Sequence, residues 1–387
     1  MSFSANRTFA FVMSPRLGDA LLSMVVVNNL TRHGFQIKVF SNQIHALRDW
    51  FPGFDIAPGL ATHEASAALS PYDVILHAYH ADKVLPAGDP HPNIVVMDDW
   101  PTYRQVRNMV DIQLDVCRVH FGLADVVREN GMTLSPLSRQ KAAPAPTSLA
   151  MDPALVGIPT QTTAAPPLSA STSYGAATAT LTPRSDMRRV VIHPVASDTQ
   201  KSWRPKRFVA LALQLRARGF DPEFLLPQSA MENWRWLQSY GLRACAYPSL
   251  SLVAERIVTA GWVIGNDSGI GHLASCLGVP AVSLAMRPKI AVRWQPGWAP
   301  SEMVLPLPIV PGRFLKEKCW KYLVSPARVL RAFDTLRRRC GMPMPLHNSQ
   351  HGGGYATYTG GSAPRGVGPI AHPGTGAETS ADVRHAG

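Results

Sequence analysis

Apolar positions along this chain alternate between short β-rich runs and longer stretches of helical spacing, and that alternation sets the first expectation. Thr8–Ser14 reads as a strand, Asp19–Arg32 carries helical periodicity, Gly34 supplies a stop and Gln36–Phe40 reads as the next strand. Asp73–Leu76 and Asn93–Met97 are further strand-like runs. The rhythm breaks between Lys141 and Asp186, where Ala, Pro, Ser and Thr dominate and charge nearly vanishes. Such a stretch buries too little apolar surface to offset its ordering entropy and reads as a flexible linker. The rhythm resumes at Arg189–Val195, with strand-like runs at Glu223–Leu226, Trp262–Gly265 and Ala281–Leu284. Helices are expected over Pro205–Arg218, Ala230–Tyr240 and Leu250–Ala260, and the Gly265–Ala274 run opens a segment that reads as a helix ending at Leu277, where Gly278 stops it. Ser325-Pro326 reads as a cap with proline at the first helical position, opening a final helix to about Arg339.

Strands that alternate with helices predict mainly parallel sheets and an α/β class. The expected organisation is a Rossmann-like domain over residues 1–140, a linker over 141–187, a second Rossmann-like domain over 188–340 and a disordered Gly/Pro/His-containing tail over 341–387.

Composition narrows the partners. Of 387 residues, 46% are hydrophobic, enough for real cores, and 38 Lys and Arg against 26 Asp and Glu leave a net charge of +12. That excess favours anionic partners. No helix-turn-helix, zinc-finger or RNA-binding signature accompanies it, so nucleic acid is not expected. Five cysteines lie far apart with no C-x-x-C, which argues against a disulfide framework and a zinc site and predicts a reducing, cytoplasmic setting. The tail histidines lack ligand-like spacing, so no metal is expected. The apolar stretch Phe9–Met13 is broken by Arg16 and Asp19, so neither a signal peptide nor a membrane span is expected.

Ligands of open parallel sheets lie at the carboxyl ends of the strands, and three segments project there. Asp19, in Ser14–Leu21 after the first strand, is placed either to cap a helix or to act as a general base. The loop His193–Pro205 offers the hydroxyls of Ser197 and Thr199 and the cation of Lys201, which reads as a solvated loop or as a site for a departing diphosphate. Gly265–Ala274 turns from strand to helix through glycines, presenting free N–H groups and a positive helix end to a phosphate, with Asp267 and His272 at its flanks. Glu232 reads either as a ribose-binding carboxylate or as an exposed helix-start glutamate.

The set G-D-A-L, H-P-x-A-S followed by K-x-W, and G-N-D-S-G-x-x-H-L-A with a following L-G-V-P-A-V resembles glycosyltransferase family 9, the ADP-heptose:lipopolysaccharide heptosyltransferases. The similarity runs from about residue 8 to 340, the Lys141–Asp186 insertion excepted. It implies a GT-B fold, two Rossmann-like domains facing a central cleft, with a last helix that often crosses back to the first domain. It implies an inverting, metal-independent transfer, without cofactor, of a heptose from ADP-heptose, with closure of the domains over the substrates. By position, Asp19 matches the base for the acceptor hydroxyl and Lys201 the cation near the diphosphate. Ser197 matches a hydroxyl contact to it, Asp267 the carboxylate that holds sugar hydroxyls, and Ser268, Gly269 and His272 the diphosphate turn, while Glu232 is nearest to the ribose-binding glutamate. The implied acceptor is an anionic glycolipid or glycan, with peripheral contact at the cytoplasmic face of the inner membrane. A protein acceptor, or a non-catalytic nucleotide-sugar-binding scaffold, is the alternative. Val195, Arg204 and the Ala285-Met286-Arg287 run depart from the family's usual residues.

Overall fold

The computed structural model describes residues 3, 5–85, 89, 91–135, 186–196, 199–307 and 319–342. Most of the expected linker, the tail beyond Met342, and Ser197 lie outside the described residues.

The first half carries five parallel strands, β1 (Thr8–Val12), β2 (Gln36–Phe40), β3 (Asp55–Ala57), β4 (Val74–His77) and β5 (Ile94–Val96), in the order β3-β2-β1-β4-β5. The second carries six, β6 (Asp186–His193), β7 (Asp221–Leu225), β8 (Arg243–Cys245), β9 (Ala260–Asn266), β10 (Ala281–Leu284) and β11 (Ser301–Val304), in the order β11-β10-β9-β6-β7-β8, again parallel throughout. In each sheet the chain starts in the middle and builds outward both ways. The strand order therefore reverses between β1 and β4 in one sheet and between β6 and β9 in the other. Each reversal opens a crevice at the carboxyl ends, where α/β sheets bind ligands. β9, buried at every position, is the apolar run that a central parallel strand requires.

Among the described residues the first half holds α1 (Leu17–Arg32), α2 (Asn42–His45), α3 (Thr62–Leu69) and α4 (Met109–Phe121). The second half contributes α5 (Pro205–Ala217), α6 (Leu250–Val258), α7 (Gly269–Cys276), α8 (Pro288–Trp294) and α9 (Pro326–Arg339). α1 is buried almost all round, from Ala20 to Val27 and again at Leu30. A helix that is apolar on all sides needs cover on all sides, and α1 finds it against α4 and its own sheet on one face and α7 on the other. One hydrophobic cluster accordingly joins Leu21, Met24 and Val25 of α1 to Ala254 and Ile257 of α6 and Leu273 and Ala274 of α7. Further ties cross the same boundary: Trp50 Nε1 donates to Ser251 Oγ (2.9 Å), Asn108 Nδ2 to the Gln295 carbonyl (2.8 Å), and Trp298 Nε1 to the Arg128 carbonyl (2.9 Å).

Three expectations change. The helix expected over Ala230–Tyr240 is instead 3₁₀ in character, over Gln228–Ala230 and Glu232–Tyr240. Met231, Trp234 and Leu237 are its packed side chains, and apolar residues spaced by three lie over one another in a three-residue turn rather than in an α-helix. α9 does not return to the first half: Phe333 packs edge-on to Phe220 and Trp262, so the helix covers the second sheet. β6 begins at Asp186, inside the segment read as linker, because its amide donates to the Thr259 carbonyl.

Candidate active site

A cavity of about 580 Å³ lies where the two crevices face each other, and segments distant in sequence wall it. Pro15–Asp19 close it from the first half. His193, Val195, Ala196 and Lys201 form the floor after β6. Asp267–Ile270 and His272 form the turn after β9, and Met286, Ile290 and Trp294 make an apolar side.

Two glycines make this junction possible. A Cβ on Gly269 would stand 2.7 Å from Leu17 Cβ and 2.9 Å from the Gly18 amide nitrogen, and one on Gly18 would stand 2.9 Å from His272 Cδ2. Glycines at both places let the first turns of α1 and α7 touch, so both helix starts open on the same space.

Asp19 is third in α1, and the residue before the helix, Arg16, makes no side-chain cap. Its carboxylate instead accepts from Ser14 Oγ (3.3 Å) and pairs with the Arg16 guanidinium (3.7 Å), while its side chain is 10% exposed. Burial raises its pKa against the lowering influence of Arg16, Ser14 and Lys201. A buried carboxylate with its proton affinity raised is suited to accept a proton from a bound hydroxyl.

Across the cavity, burial pushes Asp267 up to about 6, with Lys201 pulling down and Asp19 pushing up. Lys201 thus stands near enough to both carboxylates to act on each. Asn266 fixes the loop that bears this lysine: its side chain accepts from the Trp203 amide (2.9 Å) and donates to the Pro194 carbonyl (2.7 Å). Ser268 precedes α7 with extended backbone, and its buried Oγ meets no hydrogen-bond partner among the described residues. His272 is 4% exposed, its Nδ1 is likewise unpartnered, and burial lowers its pKa to about 4, so the ring is neutral at pH 7. Unpartnered buried polar atoms around a helix start are what an incoming anion or hydroxyl would satisfy.

Asp19, Lys201, Asp267, Ser268, Gly269 and His272 therefore share one cavity. Glu232 does not join them. Its side chain is 77% exposed and pairs with Arg235 (3.0 Å) on the 3₁₀ segment. Ser197 lies outside the described residues. Of the departures from the family pattern, Val195 and Met286 line the cavity, whereas Arg204 lies over the Tyr322 ring at 4.6 Å. Sequence reasoning assigned no role to Ser14, Asn266 or His193. Their positions directly after β1, at the end of β9 and at the end of β6 were the available signal.

Residues 138–313 match the model of glycosyltransferase family 9 (heptosyltransferase). No curated protein matches the chain in sequence. Among solved structures, the family 9 glycosyl transferase from Veillonella parvula DSM 2008 superposes with a TM-score of 0.60 at 14% identity, covering 88% of this chain and 99% of that one. The ADP-heptose LPS heptosyltransferase II of E. coli gives 0.57 at 15% identity, over 86% and 99%. The E. coli heptosyltransferase WaaC with ADP gives 0.54 at 11% identity, over 85% and 99%. The chain is thus similar to glycosyltransferase family 9, the heptosyltransferase family, over residues 138–313, and it shares with these structures the GT-B fold of two Rossmann-like halves facing one cleft.

Proposed function

We propose that this enzyme moves a heptose from ADP-heptose to a hydroxyl of an anionic glycolipid or glycan of the lipopolysaccharide type, by a single inverting displacement that needs no metal. Asp19 takes the proton of the acceptor hydroxyl as its oxygen attacks the anomeric carbon. Lys201 and the N–H groups at the start of α7 stabilise the negative charge that grows on the departing diphosphate. Asp267 accepts hydrogen bonds from the transferred sugar, and Ser268 and His272 complete the diphosphate turn. The observation that carries this reading is the convergence of Asp19, Lys201, Asp267 and His272 on one cavity from three separate stretches of chain.

The net charge of +12 and Arg16, whose side chain is 76% exposed beside the cavity, favour an anionic acceptor. Work at the cytoplasmic face of the inner membrane belongs to the same proposal. No helix among the described residues is long and apolar enough to cross a membrane.

Calorimetric titration with ADP, UDP, GDP and ADP-heptose tests the donor. Binding of ADP and ADP-heptose in preference to UDP and GDP is expected. Preference for another nucleotide would overturn the heptose donor, and binding of none would leave a scaffold that needs no donor.

A further inference from the structure

His193 closes β6 at the crevice between β6 and β9 and lines the cavity. Its Nδ1 lies 2.9 Å from the Leu225 carbonyl oxygen at the end of β7. A carbonyl only accepts, so Nδ1 must carry the hydrogen and donate it. Burial lowers the pKa of the ring, which is therefore neutral at pH 7. Nε2 is then left with a lone pair and no hydrogen. It can accept from an O–H or N–H of a ligand, and it repels the oxygens of a phosphate.

The direction of a bound donor follows from the other groups. The diphosphate sits at the start of α7, and the sugar that reacts must extend toward Asp19, whose proton transfer it shares. The nucleoside must leave the diphosphate at its opposite end, over the second sheet. On that side Val195, Leu284 and Met286 are apolar, and His193 supplies a lone pair among them. Glu232, the carboxylate that the family pattern would turn to the ribose, faces solvent with Arg235.

We propose that His193 Nε2 accepts a hydrogen bond from a ribose hydroxyl of the nucleoside diphosphate, the role that sequence position alone would give to Glu232. This rests on reading the cleft as a nucleotide-sugar site. A neutral acceptor in this place selects ribonucleotides over deoxyribonucleotides, and it does so without adding negative charge beside the diphosphate.

The test is calorimetric titration of the full chain and of His193→Phe with ADP, 2′-deoxy-ADP, 3′-deoxy-ADP and IDP. The wild type is expected to bind ADP about tenfold more tightly than at least one deoxy analogue. His193→Phe should bind ADP and that analogue alike. Equal binding of ADP and both analogues by the wild type would overturn the proposal without recourse to any variant. Discrimination that survives in a folded His193→Phe would overturn it by giving the hydroxyl to another residue. Loss in the variant of a preference for ADP over IDP, with the deoxy preference kept, would assign Nε2 to the amino group of the base instead. A wild type that binds none of these nucleotides would remove the nucleotide-sugar reading and this inference with it. One that binds them without regard to the ribose hydroxyls would remove the inference alone.

Discussion

Asp19 and Asp267 line one cavity, both hold their protons more tightly than ordinary carboxylates, and Lys201 opposes both shifts. The two differ in what their ionisation would do. Asp19→Asn keeps the volume and the neighbouring hydroxyl of Ser14 but removes the base. Turnover should fall by at least about a hundredfold, while the melting temperature and donor affinity stay near wild type. Equal loss of stability and turnover would give Asp19 a structural role instead. Lys201→Ala should weaken ADP binding by about tenfold in calorimetry, and unchanged affinity would remove the lysine from the diphosphate. Asp267 has a consequence for stability. Its carboxyl titrates near 6 in the fold against 3.8 in an unfolded chain, so between those values the unfolded state has lost a proton that the folded state keeps. Stability contributed by Asp267 is therefore full below about pH 4 and is lost as pH rises toward 6, by at most about 3 kcal/mol. His272, held neutral down to about 4, acts with the opposite sign and loses stability as pH falls below 6.5. Urea midpoints of Asp267→Asn measured from pH 4 to 6.5 should lack the decline with rising pH that Asp267 imposes on the wild type. Matching slopes would refute the assignment.

Elements decide how the site is held together, and the contact between α1 and α7 is the joint on which it depends. Gly269→Ala places a methyl against Leu17 and the backbone of Gly18. Backbone cannot swing aside as a side chain can, so the two helices must separate. We expect a loss of about 1–3 kcal/mol, read as a lower melting temperature, together with weaker ADP binding. A neutral effect would mean that the joint yields without cost.

The same elements show what the sequence reveals and why some of it stays hidden. α1, α5, α9 and the central strands are legible because long periodic or continuous apolar runs have one interpretation. β3, β8 and β11 are no shorter than β4, β5 and β10, but charged Asp55, Arg243 and Glu302 interrupt the continuous apolar run that makes the latter legible. α8 opens on Pro288 within Met286-Arg287-Pro288 and spans seven residues, so its pattern passes for loop, although Ile290 and Trp294 line the cavity. The residues at the ends of β1, β6 and β9 could be placed together because a parallel sheet sends those ends one way. The tautomer of His193 could not be read, because its partner is a carbonyl 32 positions away. The turning of Glu232 to solvent agrees with one of its two sequence readings, the exposed glutamate at a helix start.

On the scale of the whole molecule, two sheets with separate crevices would suggest halves that open and shut as rigid bodies, the closure that the family resemblance implies. The core argues for tighter coupling. Leu273, fully buried in α7, belongs to the cluster that holds α1 and the first sheet, and Asn130 of the first half donates to Leu21 O (3.2 Å) and to Cys276 Sγ (3.3 Å) in α7. Apolar surface shared in this way is exposed only if both halves loosen, so unfolding either half removes the cover of the other. Urea unfolding followed by circular dichroism and by tryptophan fluorescence should give one coincident transition. Leu273→Ala should cost about 2–5 kcal/mol and lower hydrogen-exchange protection in β1 and β6 together, although Leu273 belongs by sequence to the second half alone. Two separated transitions, or loss of protection confined to β6, would show that the halves are stable independently. In that event water would be excluded from the donor by a moving half. With a shared core, the Lys201 loop held by Asn266 and α8 tied through Arg293 to the Tyr103 carbonyl (2.8 Å), the cavity excludes water without a swing of either half.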